Sequence, residues 1–523
     1  MNLIKKFHKL YLNYFWTKKE KRLFGFFGKQ EYKSNDAQKE LVLVQCVEDI
    51  FYYSLFGQIV TDIRKEKNIN VEQYILRNFS VDSYKNVKKF LKSKLYFNRF
   101  MDRKWTRLYG TYCDKVAYSN EESTGLFSDL KLFLQARKIS NNLTSKQELV
   151  GLRVDGIIIG DLVYDTYLRF KPAPTVELGD FFLTIVIWKA LRNIKIAKKY
   201  FDKNIPDVLL QSYSTYIQHG ITARVALIYG TKVYTFGSYQ FPVKKLALDD
   251  YNHVANSSNY KTDFEFLPNK DLKLKEAELA LVERFNGVID KATSYMKESA
   301  YKVVESNIPD VEDAVIVFLH DFYDSPHVYN SMIFPDFLEW IEFTITKLEK
   351  NNIKYFLKPH PNQLPDSDVV VKKLRKKYPH VQMISSKITN KQLVDAGIQA
   401  GITVYGTIAH ELAYMGISIL TCGNNPHSSY DFCFEAITKQ EYIDYIKSIH
   451  TLKYNDLNAV KKEVLSFYYM HNLNITKDDK IFNELVNNLR VACGIMDINN
   501  KTYIKYLNEI HNNNSYIKFV AQL

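Results

Sequence analysis

Between residues 314 and 422 the hydrophobic and polar positions fall into blocks. Four short apolar runs end in polar or turn residues, and most give way to a segment of helical period. The run 314–319 (AVIVFL) ends in His320-Asp321, and 353–357 (IKYFL) ends in Lys358-Pro359-His360-Pro361. The run 398–404 ends in Tyr405-Gly406-Thr407 and opens a helical pattern over 408–415. The run 417–421 (ISILT) ends in Cys422-Gly423, and a weaker run, 381–384, lies between the second and third. Short apolar runs alternating with helical patterns signal βαβ units and predict a parallel sheet. In such a sheet, ligands bind beyond the carboxyl ends of the strands. His320, Asp321, His360, Thr407 and Glu411 fall at or just past those ends.

Upstream the pattern is weaker. Residues 38–60 and 81–100 fit a helical period, 105–118 carries spaced aromatics suited to a strand, and 126–136 reads as an amphipathic helix. An apolar run at 157–159 then meets Gly160 and Asp161, and Asp161, Asp165 and Arg169 recur at i, i+4 and i+8, on one helical face. That spacing suits either a surface ion-pair ladder or a carboxylate at a strand end placed as a general base. A helix over 179–200, a strand over 207–211, a loop over 213–220, a helix over 221–229 and a strand over 232–236 make a second α/β unit. His219 fits a cleft residue or a helix cap. Residues 241–271 read as loop, 272–297 as helix and 305–313 as a connection, and helices over 439–450, 458–471, 480–491 and 502–523 close the chain.

These patterns predict four segments: a helical, basic region over 1–100, a Rossmann-like domain over 101–305, a second over 306–445, and helices over 446–523. The expected fold class is α/β, two Rossmann-like domains facing a cleft, with helical additions at both ends. At 523 residues the chain exceeds one ordinary core, which agrees with several domains.

Charge adds a partner. A formal net charge of +13 implies an anionic one. The basic residues are dispersed and carry no zinc-finger or RNA-binding signature, so nucleic acid is not expected. The five cysteines are odd in number and far apart, without a C-x-x-C pair, which suits a reducing cytoplasm. No apolar run reaches the roughly 18 residues of a membrane span. Residues 1–27 mix Leu3, Phe7, Leu10, Phe15 and Trp16 with seven Lys or Arg. Such a segment suits peripheral contact with the inner face of an anionic membrane, or a helix packed on the protein with its basic face solvated.

Six of the twelve histidines lie between His320 and His427, yet none shows a usual zinc spacing, so neither a metal nor another cofactor is expected. Asp366-Ser367-Asp368 imitates a metal-binding D-x-D but precedes a helical pattern, where capping explains it. Phosphate recognition accounts for the cluster more economically. Lys358 supplies charge, and His360, held between Pro359 and Pro361, supplies a ring donor. Thr403 and Thr407 offer hydroxyls where strand passes to helix, at a free N-terminal turn, and Glu411 one turn on could accept from two ribose hydroxyls. The chain lacks G-x-G-x-x-G, G-x-x-x-x-G-K-[ST] and G-x-S-x-G, the fingerprints of dinucleotide binding, of the usual NTPases and of serine hydrolases.

His320-Asp321 with Asp324-Ser325-Pro326-His327, then Lys358-Pro359-His360-Pro361, then Thr403 to Thr407 with Glu411, resemble the GT-B glycosyltransferases of bacterial surface-polysaccharide assembly, particularly capsule-biosynthesis proteins. Residues 157–169 also resemble a segment of that group. The resemblance implies a GT-B-like fold and transfer of a sugar from a nucleotide donor, CMP-linked and Kdo- or sialic-acid-like, to a growing capsule or lipooligosaccharide glycan. In similar CMP-sugar transferases a His-Pro pair contacts the nucleotide phosphate, the part that falls to His360-Pro361. It implies that Lys358, Thr403, Thr407 and Glu411 hold nucleotide and phosphate, and that His320, Asp321 and His327 line the donor sugar. The acid-base work falls to Asp161 or Asp165, with His219 beside them; the Asp/Glu-Asp/Glu-Gly motif of bacterial sialyltransferases is not evident. Teichoic-acid glycerophosphotransferases, which transfer an alditol phosphate from a CDP-linked donor, have a similar His-Pro turn and stand as the alternative. A non-catalytic polysaccharide-binding scaffold and a sugar-nucleotide epimerase are the others. The implied partners are a nucleotide sugar and a glycan or lipid-linked acceptor, in the cytoplasm or at the inner membrane face.

Overall fold

A computed structural model describes residues 40–77, 98–171, 173–238, 241–254, 256–290, 307–328, 332–361, 363, 365–423, 425–494 and 500–523, with Lys21, Phe26, Phe27, Ser299, Tyr301 and Glu305. The basic segment 1–27 and the helix expected over 81–100 lie almost wholly outside the described residues. Contacts divide the chain into two compact units, residues 1–171, 177–253 and 476–523 forming the first and 172–176 with 254–475 the second.

The sheet of the first unit is built from β1 (Glu40–Cys46), β2 (Ile69–Ile75), β3 (Lys115–Ser119), β6 (Val208–Gln211), β7 (Lys232–Thr235) and β8 (Lys244–Leu246). A separate two-stranded hairpin comprises β4 (Arg153–Val154) and β5 (Ile157–Ile158). The order is β3-β2-β1-β6-β7-β8, parallel except for the antiparallel edge strand β8. Numbered along the chain without the hairpin, this is third-second-first-fourth-fifth-sixth, the doubly wound Rossmann order.

Several elements differ from the sequence reading. The helical period over 38–60 resolves into β1 followed by the Ile50–Glu66 helix. Val42 and Val44 mark the strand, and Asp49 makes the break by accepting the Phe51 N–H at 2.7 Å as an N-cap. The strand expected over 105–118 is a helix to Tyr109 and then β3, because Leu108 and Tyr109 serve the helix's buried side. Residues 241–271, expected as loop, contain β8 and the Tyr260–Glu265 helix.

The C-terminal helices from Lys477 onward are part of this unit's core. Phe482, Leu489, Tyr503, Leu507 and Tyr516 pack with Val42, Val44, Tyr53 and Phe56. Two hydrogen bonds fasten them: Tyr503 Oη to Ser54 Oγ at 2.6 Å and Tyr516 Oη to Asp62 Oδ2 at 2.9 Å. The four segments expected from the sequence are therefore cut differently: β1 and β2 come from the 1–100 stretch, residues 254–305 join the second unit, and the helices from 476 join the first.

Gly160 shows how tightly the hairpin is set. A Cβ there would lie 1.9 Å from the Leu149 carbonyl oxygen and 2.4 Å from that of Val150. Both are backbone atoms, so no rotamer change relieves the clash. Gly160→Ala is expected to cost about 3 kcal/mol or more by overpacking, seen as a lower urea midpoint with an unchanged slope.

The second unit contains β9 (Val315–Phe318), β10 (Tyr355–Lys358), β11 (Ala400–Ile402), β12 (Ser418–Cys422) and β13 (Phe434–Ala436), in the order β10-β9-β11-β12-β13 and all parallel. The weak run at 381–384 contributes a single parallel bridge, Met383 to Leu357, outside β10. Counting that bridge, the chain order is again third-second-first-fourth-fifth-sixth. Both faces are covered. Val315, Val317, Leu357 and Leu420 pack with the Phe337–Lys350 helix, through Trp340, Ile341 and Ile345. Ile316, Phe318, Phe356 and Ile419 pack on the other face with the Ile408–Tyr414 and Leu457–Tyr468 helices. Burial on both faces explains why these strands are continuously apolar. The α/β class expected from the sequence, with two Rossmann-like units, is observed.

Candidate functional site

In an open α/β sheet the crevice opens where strand order reverses. In the second unit that point lies between β9 and β11. Past the end of β9 come His320 and Asp321, past β11 come residues 403–407, and past β10, β9's other neighbour, comes His360. All three expected strand ends thus belong to one sheet edge.

The outer layer of this edge is partly exposed: His320, Asp321, His360, Gly406 and Thr407. His320 stacks on Phe337 with ring centroids 4.4 Å apart, and lies 6.2 Å from both His360 and Tyr405. Ser367 donates to Asp321 Oδ1 at 2.8 Å, and the Tyr323 N–H donates to the same oxygen at 2.9 Å. Ser367, central in the D-x-D look-alike, thus orients Asp321 from the first turn of the Pro365–Lys377 helix. The Tyr405 hydroxyl donates to the Pro326 carbonyl at 3.1 Å, tying the 322–328 loop to the 405–407 turn. His327 on that loop is buried. Gly406 has φ +139°, a conformation open to glycine, which lets the chain turn from β11 into the seven-residue Ile408–Tyr414 helix.

Beneath lies a buried charged network that the sequence reading met only at its ends. Lys358 Nζ donates to Asn390 Oδ1 at 2.7 Å, and Asn390 Nδ2 reaches Glu411 Oε2 at 3.4 Å. Arg284 donates to Glu411 Oε1 through Nε at 2.9 Å and Nη2 at 2.7 Å, and Nη2 also lies 3.2 Å from Thr407 Oγ1. Its Nη1 pairs with Asp290 at 2.9 Å, and the Tyr301 hydroxyl donates to Glu411 Oε2. Lys358, Thr407 and Glu411 are therefore linked through Asn390 and Arg284.

Two expectations change here. Glu411, expected to accept ribose hydroxyls, is 1% exposed and its carboxylate is taken up by Arg284, Tyr301 and Asn390. Thr403, expected to offer a hydroxyl, is buried and donates to the Tyr405 carbonyl at 3.3 Å within its own turn. Thr407 holds the N-cap position without a side-chain cap bond, its oxygen facing Arg284 instead.

Burial sets the protonation of this edge. It lowers Lys358 to about 8, against the pull of Glu411, and lowers His360 to about 4, with His320 adding to the effect. His360 is therefore neutral at pH 7 and acts as a hydrogen-bonding ring. For Glu411 burial acts upward, but Arg284 and its other partners hold the carboxyl at about 2.

The first unit places the three expected acid-base residues on two helices, Gly160–Phe170 for Asp161 and Asp165 and Tyr216–Ile228 for His219. β5 belongs to the hairpin, so Asp161 does not follow a strand of the main sheet. Asp161 lies in the Gly160–Phe170 helix as the bidentate partner of buried Arg224, with Nη1 to Oδ1 at 2.7 Å and Nη2 to Oδ2 at 2.5 Å. Arg224 also donates to the Ile158 carbonyl at 2.7 Å and lies 4.0 Å from the Tyr251 ring centroid. Asp165 is buried one turn on, and Arg169 is exposed. The arrangement is not a surface ladder, because Asp161 and Asp165 are both buried. His219 reaches the switch point of its sheet, between β1 and β6. Its Nδ1 lies 3.4 Å from Gln45 Nε2 and 3.3 Å from Ser212 Oγ, while Gln45 Oε1 accepts from the Ser212 N–H at 2.9 Å. Burial, with His253 nearby, lowers His219 to about 3. Tyr216 at the start of its helix has φ +60°, a left-handed conformation costing roughly 1–2 kcal/mol outside glycine.

No protein-family model and no curated protein sequence matches the chain. Among solved structures it is similar to the glycotransferase of kitacinnamycin, at 8% identity over 83% of this chain and 97% of that one, with a TM-score of 0.21. It is similar to an O-GlcNAc transferase mutant of Thermobaculum terrenum at 9% identity, over 92% of this chain and 71% of that one, with a TM-score of 0.24. A glycosyltransferase from Rickettsia africae gives 11% identity over 84% and 95%, with a TM-score of 0.24.

Proposed function

We propose that the chain is a glycosyltransferase using a nucleotide-linked sugar, with the donor's phosphate bound at the carboxyl edge of the second unit's sheet. The observation that carries this reading is Lys358. Its ammonium is buried at the end of β10, beside the switch point; among the described residues it donates to one acceptor, Asn390, and lies 5.8 Å from the Phe318 ring centroid. Burying a cation with so few partners is costly unless an anion completes its shell. A phosphate there takes the remaining Lys358 protons, a ring N–H from His360 and the Thr407 hydroxyl proton. Such preorganised donors stabilise the charge that develops as the sugar leaves, usually the largest catalytic term available.

The finer assignment is a CMP-linked, Kdo- or sialic-acid-like donor and a capsule or lipooligosaccharide acceptor. It rests on the His360-Pro361 turn and the resemblance it carries. His320, Asp321 and His327 are assigned to the donor sugar. No metal is assigned. The bidentate pair with Arg224 occupies Asp161, which leaves Asp165 and His219 as the first unit's candidates for the acid-base role. Incubation with a panel of nucleotide sugars, monitored for released nucleoside phosphate, tests the reading. Release from none of them, with no nucleotide preference in thermal shifts across CMP, CDP, UDP and GDP, overturns it in favour of a scaffold. A preferred nucleotide should stabilise the protein by about 2.7 kcal/mol at a hundredfold over Kd.

Lys358 gives this site a pH signature. Its proton is lost near pH 8 in the free protein, so nucleotide affinity should be full below pH 8 and fall as pH rises above it, the bound phosphate moving the midpoint upward. Stability runs the other way: between about 8 and the ordinary lysine value the unfolded chain holds a proton the fold lacks, so stability rises with pH. Calorimetric titration from about pH 6.5 to 9.5 checks the first. Lys358→Met should remove the slope.

A further inference from the structure

The Leu126–Asn142 helix turns large apolar side chains outward. Phe127, Leu130 and Leu134 recur at i, i+3 and i+7 on one face and are 91%, 56% and 56% exposed, and Leu126 beside them is 88% exposed. The inward face is anchored by other means. Ala136 and Ser140 are buried, Asp129 accepts from Arg192 Nε at 2.7 Å, and its carbonyl accepts from Trp188 Nε1 at 3.1 Å. Phe133 meets the rings of Trp188 at 6.0 Å and Phe181 at 6.3 Å. Phe181 is itself 63% exposed and carries the apolar surface onto the Phe181–Phe201 helix. The outward orientation is therefore fixed by the fold.

The charged side chains on the outward side of the Leu126–Asn142 helix are all basic, while Asp180 beside Phe181 is paired with Lys171. At 100° per residue, Lys131 and Lys138 fall on one side of the stripe and Arg137 on the other. All three are exposed and have no hydrogen-bond or ion-pair partner among the described residues. The helix's one acidic residue, Asp129, faces inward to Arg192. An exposed apolar patch rimmed by polar groups marks an interaction site. A second copy would bring its own three cations against these, and the chain already carries a net +13. An anionic surface with an apolar interior complements both features.

We propose that this face docks on an anionic lipid bilayer. Phe127, Leu130, Leu134 and Phe181 enter the boundary between headgroups and acyl chains, while Lys131, Arg137 and Lys138 meet lipid phosphates. Among the described residues no helix is long and apolar enough to cross a membrane. The site is distinct from residues 1–27 and does not depend on the transferase reading.

Flotation of the full-length protein with vesicles tests it, using phosphatidylcholine alone and phosphatidylcholine with phosphatidylglycerol. Binding is expected on the anionic vesicles and to weaken at 0.5 M salt. K131Q/R137Q/K138Q should lower partitioning by about two orders of magnitude, and F127S/L130S/L134S should lower it comparably. Both variants should keep the wild-type melting temperature and any nucleotide-induced shift, which separates this outcome from failure of the donor site. Unchanged partitioning in both variants overturns the proposal and leaves residues 1–27 as the membrane contact. Absence of vesicle binding by the wild type overturns it too, as does a concentration-dependent dimer that F127S/L130S/L134S abolishes.

Discussion

Glu411→Gln is expected to destabilise the protein by about 3–5 kcal/mol, the usual result of removing one partner of a buried ion pair. The amide keeps the carboxylate's shape but not its charge. Arg284, with 5% of its side chain exposed, would then lose one of its two carboxylate partners among the described residues and keep Asp290. An amide NH₂ would also face either the Arg284 donors or the Tyr301 hydroxyl, which both donate to Glu411 now. The variant should further lose a segment of acid sensitivity. With Glu411 held at about 2 in the fold, its contribution is present above the ordinary glutamate value and disappears as pH falls towards 2. Urea midpoints between about pH 3 and 7 should therefore converge for the two proteins at the acid end and separate at neutral pH. A variant as stable as the wild type at pH 7 would show that Glu411 is not the centre of the network.

Lys358, Thr407 and Glu411, scattered along the chain, are legible as neighbours because each lies at or beyond the end of a strand of one parallel sheet, and strand-end position is what βαβ periodicity reports. The intermediaries were not legible. Arg284 comes from a helix that has no strand before it, and Asn390 sits in a six-residue helix; neither stands in a motif. Glu411 escapes the sequence for a related reason: helical spacing places it one turn below Thr407 but cannot say that Arg284 occupies the space between. In the first unit, the apolar run at 157–159 imitated a sheet strand because Ile157 and Ile159 are buried, although only a two-residue hairpin forms. β1 was hidden inside a helical period because seven strand residues run almost directly into a capped helix. Each miss occurs where tertiary contacts decide what local pattern leaves open.

His360→Ala should lower turnover by on the order of 10² or more while leaving the fold intact, if the ring donates to the departing phosphate. The side chain is partly exposed and packs on His320 at a centroid distance of 6.2 Å, so its removal opens no deep cavity. Its effect should fall on kcat more than on KM, because a hydrogen bond that strengthens as charge develops acts in the transition state. The pH profile separates this role from a cationic one. Burial and His320 hold His360 at about 4, so the wild-type rate should show no ascending limb near the ordinary histidine value. Lys358→Met should weaken nucleotide binding as well, since its charge is present before the bond breaks. If His360→Ala turns over at the wild-type rate while Lys358→Met does not, the phosphate is held by lysine alone and His360 belongs to the wall of the site.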